Sequence, residues 1–227
     1  MNKPVDSSAK KFLKSYVRKG ARAAIRNLGE EWRRSKQHRC ALKQVDRFLQ
    51  RPDKKLNLGC GPNPKPGWIN IDLFDSHADL RLDLREDWPF ADATVSYVYS
   101  EHVFEHFEIR DEVPHFLLEG YRVLRPGGVF DVGVPDTVWP LRAYGIPDDP
   151  YWPHAKKLHP EWCKTQLDHI NYHFRQGAEH KYAWDCETLA MALRKSGFAN
   201  IERREFDPAL DSESRRIGTL YMRAVKP

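Results

Sequence analysis

A glycine pair closing one apolar run and an acid closing the next form a pattern that can hold a nucleoside. The stretch Lys55–Asp72, KLNLGCGPNPKPGWINID, has it. Leu56-Asn57-Leu58 stops at Gly59-Cys60-Gly61, and Trp68-Ile69-Asn70-Ile71 stops at Asp72, which predicts two strands that each end in a binding residue. Glycines there let the backbone turn sharply and bring its N–H groups up to a ligand, while the carboxylate can accept from two ribose hydroxyls. A GxG by itself is equally a plain tight turn; the acid at the next strand end turns it into a candidate site for a nucleoside-containing cofactor.

Further along, Ala78–Leu84 alternates as a third strand ending in Asp83-Leu84, and Thr94–Tyr99 is a β-rich fourth strand that delivers Ser100-Glu101-His102. Ligands of open α/β sheets sit outside the carboxyl ends of the strands, so these residues belong to the same edge as the glycines. Glu101 and Glu105, like His102 and His106, are four apart and would share a face of a following helix. His102 is a candidate general base for an acceptor hydroxyl, with structural hydrogen bonding as the competing reading, and His180 is a second base candidate. Asp136, after the strand Val129–Val134, is read evenly as a substrate contact or a turn aspartate. His169 and His173 repeat the four-residue spacing, but neither pair has a third ligand in sequence, and no metal is assigned.

LNLGCG, INIDL, LRLDL at Asp83, VLRPGG and the closing SGF…LYMRAVKP together resemble the class I S-adenosylmethionine (SAM) dependent methyltransferases, over roughly Lys55–Pro227. The nearest likeness is to small bacterial enzymes associated with polysaccharide and glycan assembly. The resemblance implies an α/β fold, a Rossmann-like, mostly parallel sheet with its last strand antiparallel. It implies SAM as cofactor, with Gly59, Cys60 and Gly61 at the methionine end, Asp72 and Leu73 at the ribose, Asp83 and Leu84 at the adenine, and Ser100 where the methyl group faces the acceptor. The acceptor it favours is a sugar hydroxyl of a glycan or lipid-linked precursor. The rivals are an RNA or small-molecule methyltransferase and a non-catalytic partner subunit that keeps the fold. No Asp/Asn-Pro-Pro-aromatic or Pro-Cys motif is present, which demotes amino- and cytosine-methylating nucleic-acid enzymes. The chain departs from the family pattern at Asn57, where an acid is usual, and at Asn63, where a third glycine is. Only Pro62–Trp68 separates the glycine turn from the second strand, so the first crossover helix must be missing or cut to about a turn. A nest of loop N–H groups then replaces the helix dipole at the cofactor carboxylate.

With 227 residues and 41% hydrophobic content the chain can bury one good core. No apolar run has the length of a membrane span and no signal-peptide core begins the sequence, so the expectation is a cytoplasmic protein, peripheral at the inner membrane face if its arm binds lipid. The four scattered cysteines are read as reduced thiols. Net charge of +5 conceals an asymmetry: residues 1–55 carry 17 Lys+Arg against 5 Asp+Glu, or +12, leaving 20 against 27, or −7, for the rest. Residues 1–54 are therefore set apart as a basic amphipathic helical extension. Its stretch 10–38 carries Leu13, Val17, Ala21, Ile25, Leu28 and Trp32 at helical spacing and suits an anionic membrane surface or an acidic protein; packing on its own domain is the plainer alternative. Basic charge without a reading motif gives no specific nucleic-acid recognition.

A second helix is expected over Arg39–Gln50, another over Glu112–Leu124, and a third over Glu187–Lys195 behind an Asp185 cap. Phe198–Phe206 and Gly218–Val225 should close the sheet as a hairpin. Within the methyltransferase-like domain 55–227, residues 136–183 form an insert rich in aromatics and histidines. It reads as a lid whose rings suit a sugar, or equally as a second small core.

Overall fold

The computed structural model describes residues 19–227. Leu13 and Val17, two of the six apolar positions named on the predicted arm, lie outside the described residues. The arm within them is one helix, α1 (Lys19–Leu42), on which Ile25, Leu28 and Trp32 are exposed. The predicted second helix is instead the end of α1, a break, and one turn, α2 (Asp46–Leu49). Ala41, Val45 and Phe48 are buried in the main core, whereas Leu42 at the end of α1 is exposed.

Six strands follow: β1 (Lys54–Leu58), β2 (Ile69–Ile71), β3 (Val95–Glu101), β4 (Leu124–Pro135), β5 (Ala199–Arg204) and β6 (Thr219–Val225). They form one sheet in the order β2-β1-β3-β4-β6-β5, parallel from β2 to β4, with β6 antiparallel to both neighbours. The expected mostly parallel sheet with a closing antiparallel pair is what the chain forms. No helix lies between β1 and β2 or between β2 and β3, so the first crossover is the bare Pro-rich loop that its length demanded.

The third strand is a correction. Ala78–Leu84 makes a single bridge, Leu80 to Ile71. Asp79 and Leu80 both donate their N–H to the Asn70 carbonyl, and the Asp79 carboxylate caps the Asn70 N–H, which folds the segment into a turn where a ladder would need it straight. Leu80, Leu82 and Leu84 still point into the core, so the alternation was hydrophobic patterning without strand pairing.

Strand alternation gives the sheet two unlike faces. Ile69, Leu56, Val98, Phe130 and Ala224 lie side by side across five strands and pack under α3 (Glu112–Val123) and α7 (Cys186–Lys195) through Phe116, Leu189 and Leu193. A Cβ on Gly120 of α3 would lie 2.7 Å from Phe130, so glycine there sets how closely the helix can sit. Lys226 donates to the Tyr121 and Leu124 carbonyls at the end of α3, stopping the helix where β4 begins.

On the opposite face the corresponding row reads Asn70, Asn57, Tyr99, Asp131, Arg223, Glu202. Asp131, fully buried, accepts from Tyr97, Arg204 and Arg223. The insert holds three helices, α4 (Val138–Ala143), α5 (Tyr151–Leu158) and α6 (Gln166–Arg175), around a small core of Ala143, Tyr151, Trp152 and Ala155. Among the described residues no helix is long and apolar enough to cross a membrane.

Candidate cofactor and acceptor site

The glycine turn and the strand-end acid are in contact. Cys60 donates its N–H to Ile71 O at 3.0 Å and Gly61 donates to Asp72 Oδ2 at 3.0 Å. Asp72 Oδ1 accepts from Phe74 and Asp75, each at 2.9 Å. A carboxylate has about four lone-pair directions, so Asp72 keeps one on Oδ2, enough to accept from a ribose hydroxyl. Gly61 has φ +47° and a Cβ there would meet nothing within 4 Å, leaving backbone open to a ligand. Gly59 is needed for a different reason, since its Cβ would lie 2.0 Å from the Val103 side chain. Burial, then the charges of Asp72, Asp75 and Asp79, push the Cys60 thiol up to about 12, so it contributes backbone to the turn and no thiolate.

The Asn57 side chain explains the missing acid. Its amide donates to Asn70 Oδ1 at 2.9 Å and to Asn63 O at 3.3 Å, while Asn70 Oδ1 also accepts from Lys65 N at 2.7 Å. An aspartate would turn oxygen toward oxygen at both contacts. Asparagine therefore fits a helix-free crossover that side-chain amides must pin down.

Asp83 is placed differently from the expectation. It is 5% exposed, and Arg85 grips its carboxylate through Nε at 3.0 Å and Nη2 at 2.7 Å. Burial alone would raise its pKa; the Arg85 bonds outweigh that and hold it below the usual carboxylate range. Its backbone N–H donates to His38 Nδ1 at 3.1 Å, and Arg85 also pairs with Glu31 at 2.9 Å, so α1 lies across the edge assigned to adenine. Leu84 is core, Leu73 is half-buried, and Ser100 is fully buried with its hydroxyl unpartnered among the described residues. The Asp72 position thus suits a ribose as it stands, whereas the expected nest of free loop N–H groups is absent, because Cys60, Gly61, Asn63 and Lys65 donate theirs within the protein, and the adenine edge is likewise held by the chain's own groups.

Beyond β3 the predicted helix is absent. His102 takes a left-handed φ of +55° and only a 3-10 turn, Phe104–His106, follows. Glu101 consequently turns to the polar face, accepting from Ser212 Oγ at 2.6 Å and Tyr221 at 3.1 Å, while Glu105 is buried. The Thr219 hydroxyl donates to Arg215 O, so His102 Nε2, 2.8 Å from Thr219 Oγ1, must carry the proton that this second bond uses. Burial and the Arg215 charge push His102 down to about 3, keeping it neutral. Burial pushes Glu105 up to about 8.

A cleft of about 470 Å³ opens at the ends of β4, β5 and β6, lined by Asp136, Trp139, Arg203, Phe206, Arg216 and Thr219. Of the three catalytic candidates, Asp136 lines it, 3.8 Å from Arg203, and His102 stands behind Thr219. His180 lies elsewhere, with Nδ1 bonded to His173 O at 2.9 Å, so it is not placed to act as a base in this cleft. The sequence reading missed Arg203 and Phe206, in the predicted strand Phe198–Phe206, and Arg216, in the connection to the next strand. Their only signal was cations flanking an aromatic at a strand end.

Residues 71–132 match the family model described as Methyltransferase domain, a segment that runs from the end of β2 into β4. Similar solved structures include a SAM-dependent methyltransferase from Thermotoga maritima, at 16% identity over 88% of this chain and 95% of that one, with a TM-score of 0.47. A SAM-dependent methyltransferase from Archaeoglobus fulgidus is similar at 14% identity over 83% and 94%, with a TM-score of 0.46. A third is phosphoethanolamine N-methyltransferase 2 of Haemonchus contortus in complex with SAM, at 14% identity over 83% of this chain and 52% of that one, with a TM-score of 0.47. Among curated proteins nothing matches the chain. The strand order, mostly parallel with an antiparallel pair at one edge, is the Rossmann-like sheet that the resemblance implied.

Proposed function

We propose that the chain is a SAM-dependent methyltransferase whose acceptor is a sugar hydroxyl of a glycan or lipid-linked precursor. The bond from Gly61 N–H to Asp72 carries the reading, because it joins the open glycine backbone to an acid with a lone pair to spare at the carboxyl edge of a sheet of this order. The match of residues 71–132 to a methyltransferase domain supports it.

Bound there, SAM supplies an electrophilic sulfonium methyl. The chain's part is positioning: the Gly61 turn leaves open backbone beside the methionine end, Asp72 accepts from the ribose, and the cleft two strands away holds the acceptor. In that cleft Trp139 and Phe206 offer faces to the C–H side of a sugar, Arg203 and Arg216 offer charge to an anionic substituent such as a lipid-linked phosphate, and Asp136 can accept from the reacting hydroxyl. The basic arm, with Ile25, Leu28 and Trp32 exposed among arginines, suits the surface of an anionic membrane that carries such a precursor.

Calorimetry with SAM tests the cofactor assignment. Asp72→Ala should weaken binding by about tenfold or more, and an unchanged affinity overturns it. A screen with labelled SAM tests the acceptor: methyl transfer to RNA and not to sugars overturns the glycan assignment.

A further inference from the structure

We propose that Glu105, His106 and His180 form a binding site for a divalent transition-metal cation, at the seam between the carboxyl edge of the sheet and the insert. One ligand atom from each residue lies within 4.8 Å of the other two. The orientation of both imidazoles follows from their partners. His106 Nδ1 is 3.1 Å from Glu179 O and His180 Nδ1 is 2.9 Å from His173 O. A carbonyl can only accept, so both Nδ1 atoms carry hydrogen and both Nε2 atoms keep their lone pairs. Ligating histidines are held in this way by a second partner on the far nitrogen.

Glu105 supplies an independent observation. It is 2% exposed, and its Oε2 has no hydrogen-bond partner among the described residues. Its Oε1 is 3.9 Å from His106 Nε2 and 3.8 Å from His102 Nδ1, beyond hydrogen-bond reach of either. Burying a carboxyl group without a partner is costly, and this one faces a cavity of about 10 Å³, the room a single water or ion takes up. His180 and His173 line the same cavity, and His173 Nε2 is a second buried atom without a partner. The ligand backbones are fixed beforehand, since Lys181 and Tyr182 both donate their N–H to Glu105 O, at 2.7 and 3.2 Å.

Two imidazoles and one carboxylate suit zinc, cobalt or nickel better than calcium or magnesium, which take oxygen ligands. Three protein ligands leave a position for water or another oxygen. A second group, His159, Cys163 and His169, also brings ligand atoms together. There His159 Nδ1 and His169 Nδ1 bond each other at 3.0 Å, so one of the two carries hydrogen and points it at the other.

The test is zinc titration of the full chain after chelator treatment, read by calorimetry, with cobalt(II) visible absorption reporting an N/O coordination sphere. The expected result is one saturable equivalent that weakens by about tenfold or more in Glu105→Gln and in His180→Ala and persists in His169→Ala. Circular dichroism checks folding of each variant. Because Gln is neutral at the buried position, Glu105→Gln folds as well as the parent in metal-free buffer, so its loss of binding is interpretable. Absence of saturable binding overturns the site and leaves the cavity to water. Unchanged affinity in both Glu105→Gln and His180→Ala also overturns it, as does loss confined to His169→Ala.

Discussion

One face of the sheet is Ile69, Leu56, Val98, Phe130 and Ala224 beneath helices; the other is Asn70, Asn57, Tyr99, Asp131, Arg223 and Glu202 beneath loops. The same strands supply both, one residue out of step. The helix-covered face needs apolar area because α3 and α7 bring their own apolar stripes to it. The loop-covered face has no helix to bury, and a loop brings backbone polar groups that must be paired. Side-chain amides therefore hold the Pro62–Trp68 crossover and carboxylates hold the segment after β5: Asp211 accepts from Arg204 at 2.6 Å and from Asp207 N at 2.7 Å. Losing the crossover helices is thus coupled to a change of sheet chemistry, from packing to hydrogen bonding.

The helix-covered face should show the larger single effect. Phe130→Ala, at a side chain with no exposure, should cost about 4 kcal/mol in denaturant unfolding. Next comes Asp131→Asn, which leaves Arg204, only 9% exposed, without its full counter-charge; a loss of about 3 kcal/mol is expected. If Asp131→Asn costs nothing measurable, the polar face is a bystander and the contrast fails. The smallest effect is at the cap of α7. Asp185 accepts from Thr188 N at 2.8 Å, and its carboxyl is held below the usual range, first by the Thr188 hydroxyl and then by that N–H. Asp185→Ala should cost about 1 kcal/mol at neutral pH. A depressed folded pKa means this contribution is present above the unfolded value of about 3.9 and fades as pH falls through the folded one. Parent and variant stabilities should therefore converge in acid, and a gap that stays constant down to acid pH would show that the cap is not electrostatic.

What the sequence makes legible is local. Leu56–Leu58 and Ile69–Ile71 announce themselves as strands by length and boundary, and seven residues cannot hold a crossover helix. The same stretch places Gly61 against Asp72. Asp83 shows where such reading stops: its alternation was visible, but Arg85 folding back and His38 arriving from α1, 45 residues away, were not. The Glu101–His106 spacing suggested a shared helical face, yet β3 runs on through Glu101 and His102 turns left-handed, so the four-residue arithmetic did not apply. Asp131 looked like one more polar position in a strand, since its partners enter only through the pairing of β5 and β6. In the insert the aromatics were visible and their destination was not; Tyr151 and Trp152 went into a small core, leaving Trp139 beside the cleft.

The buried cysteine in the glycine turn has a practical consequence. Burial pushes the Cys60 thiol up to about 12 and leaves it 5% exposed, which disfavours its reaction with maleimides, whereas Cys40 is exposed on α1. A fluorophore attached at Cys40 rides two residues beyond His38. Its emission would register any displacement of that helix when a nucleoside arrives at the Asp83 edge, and the turn that greets the other end of the ligand would stay chemically untouched.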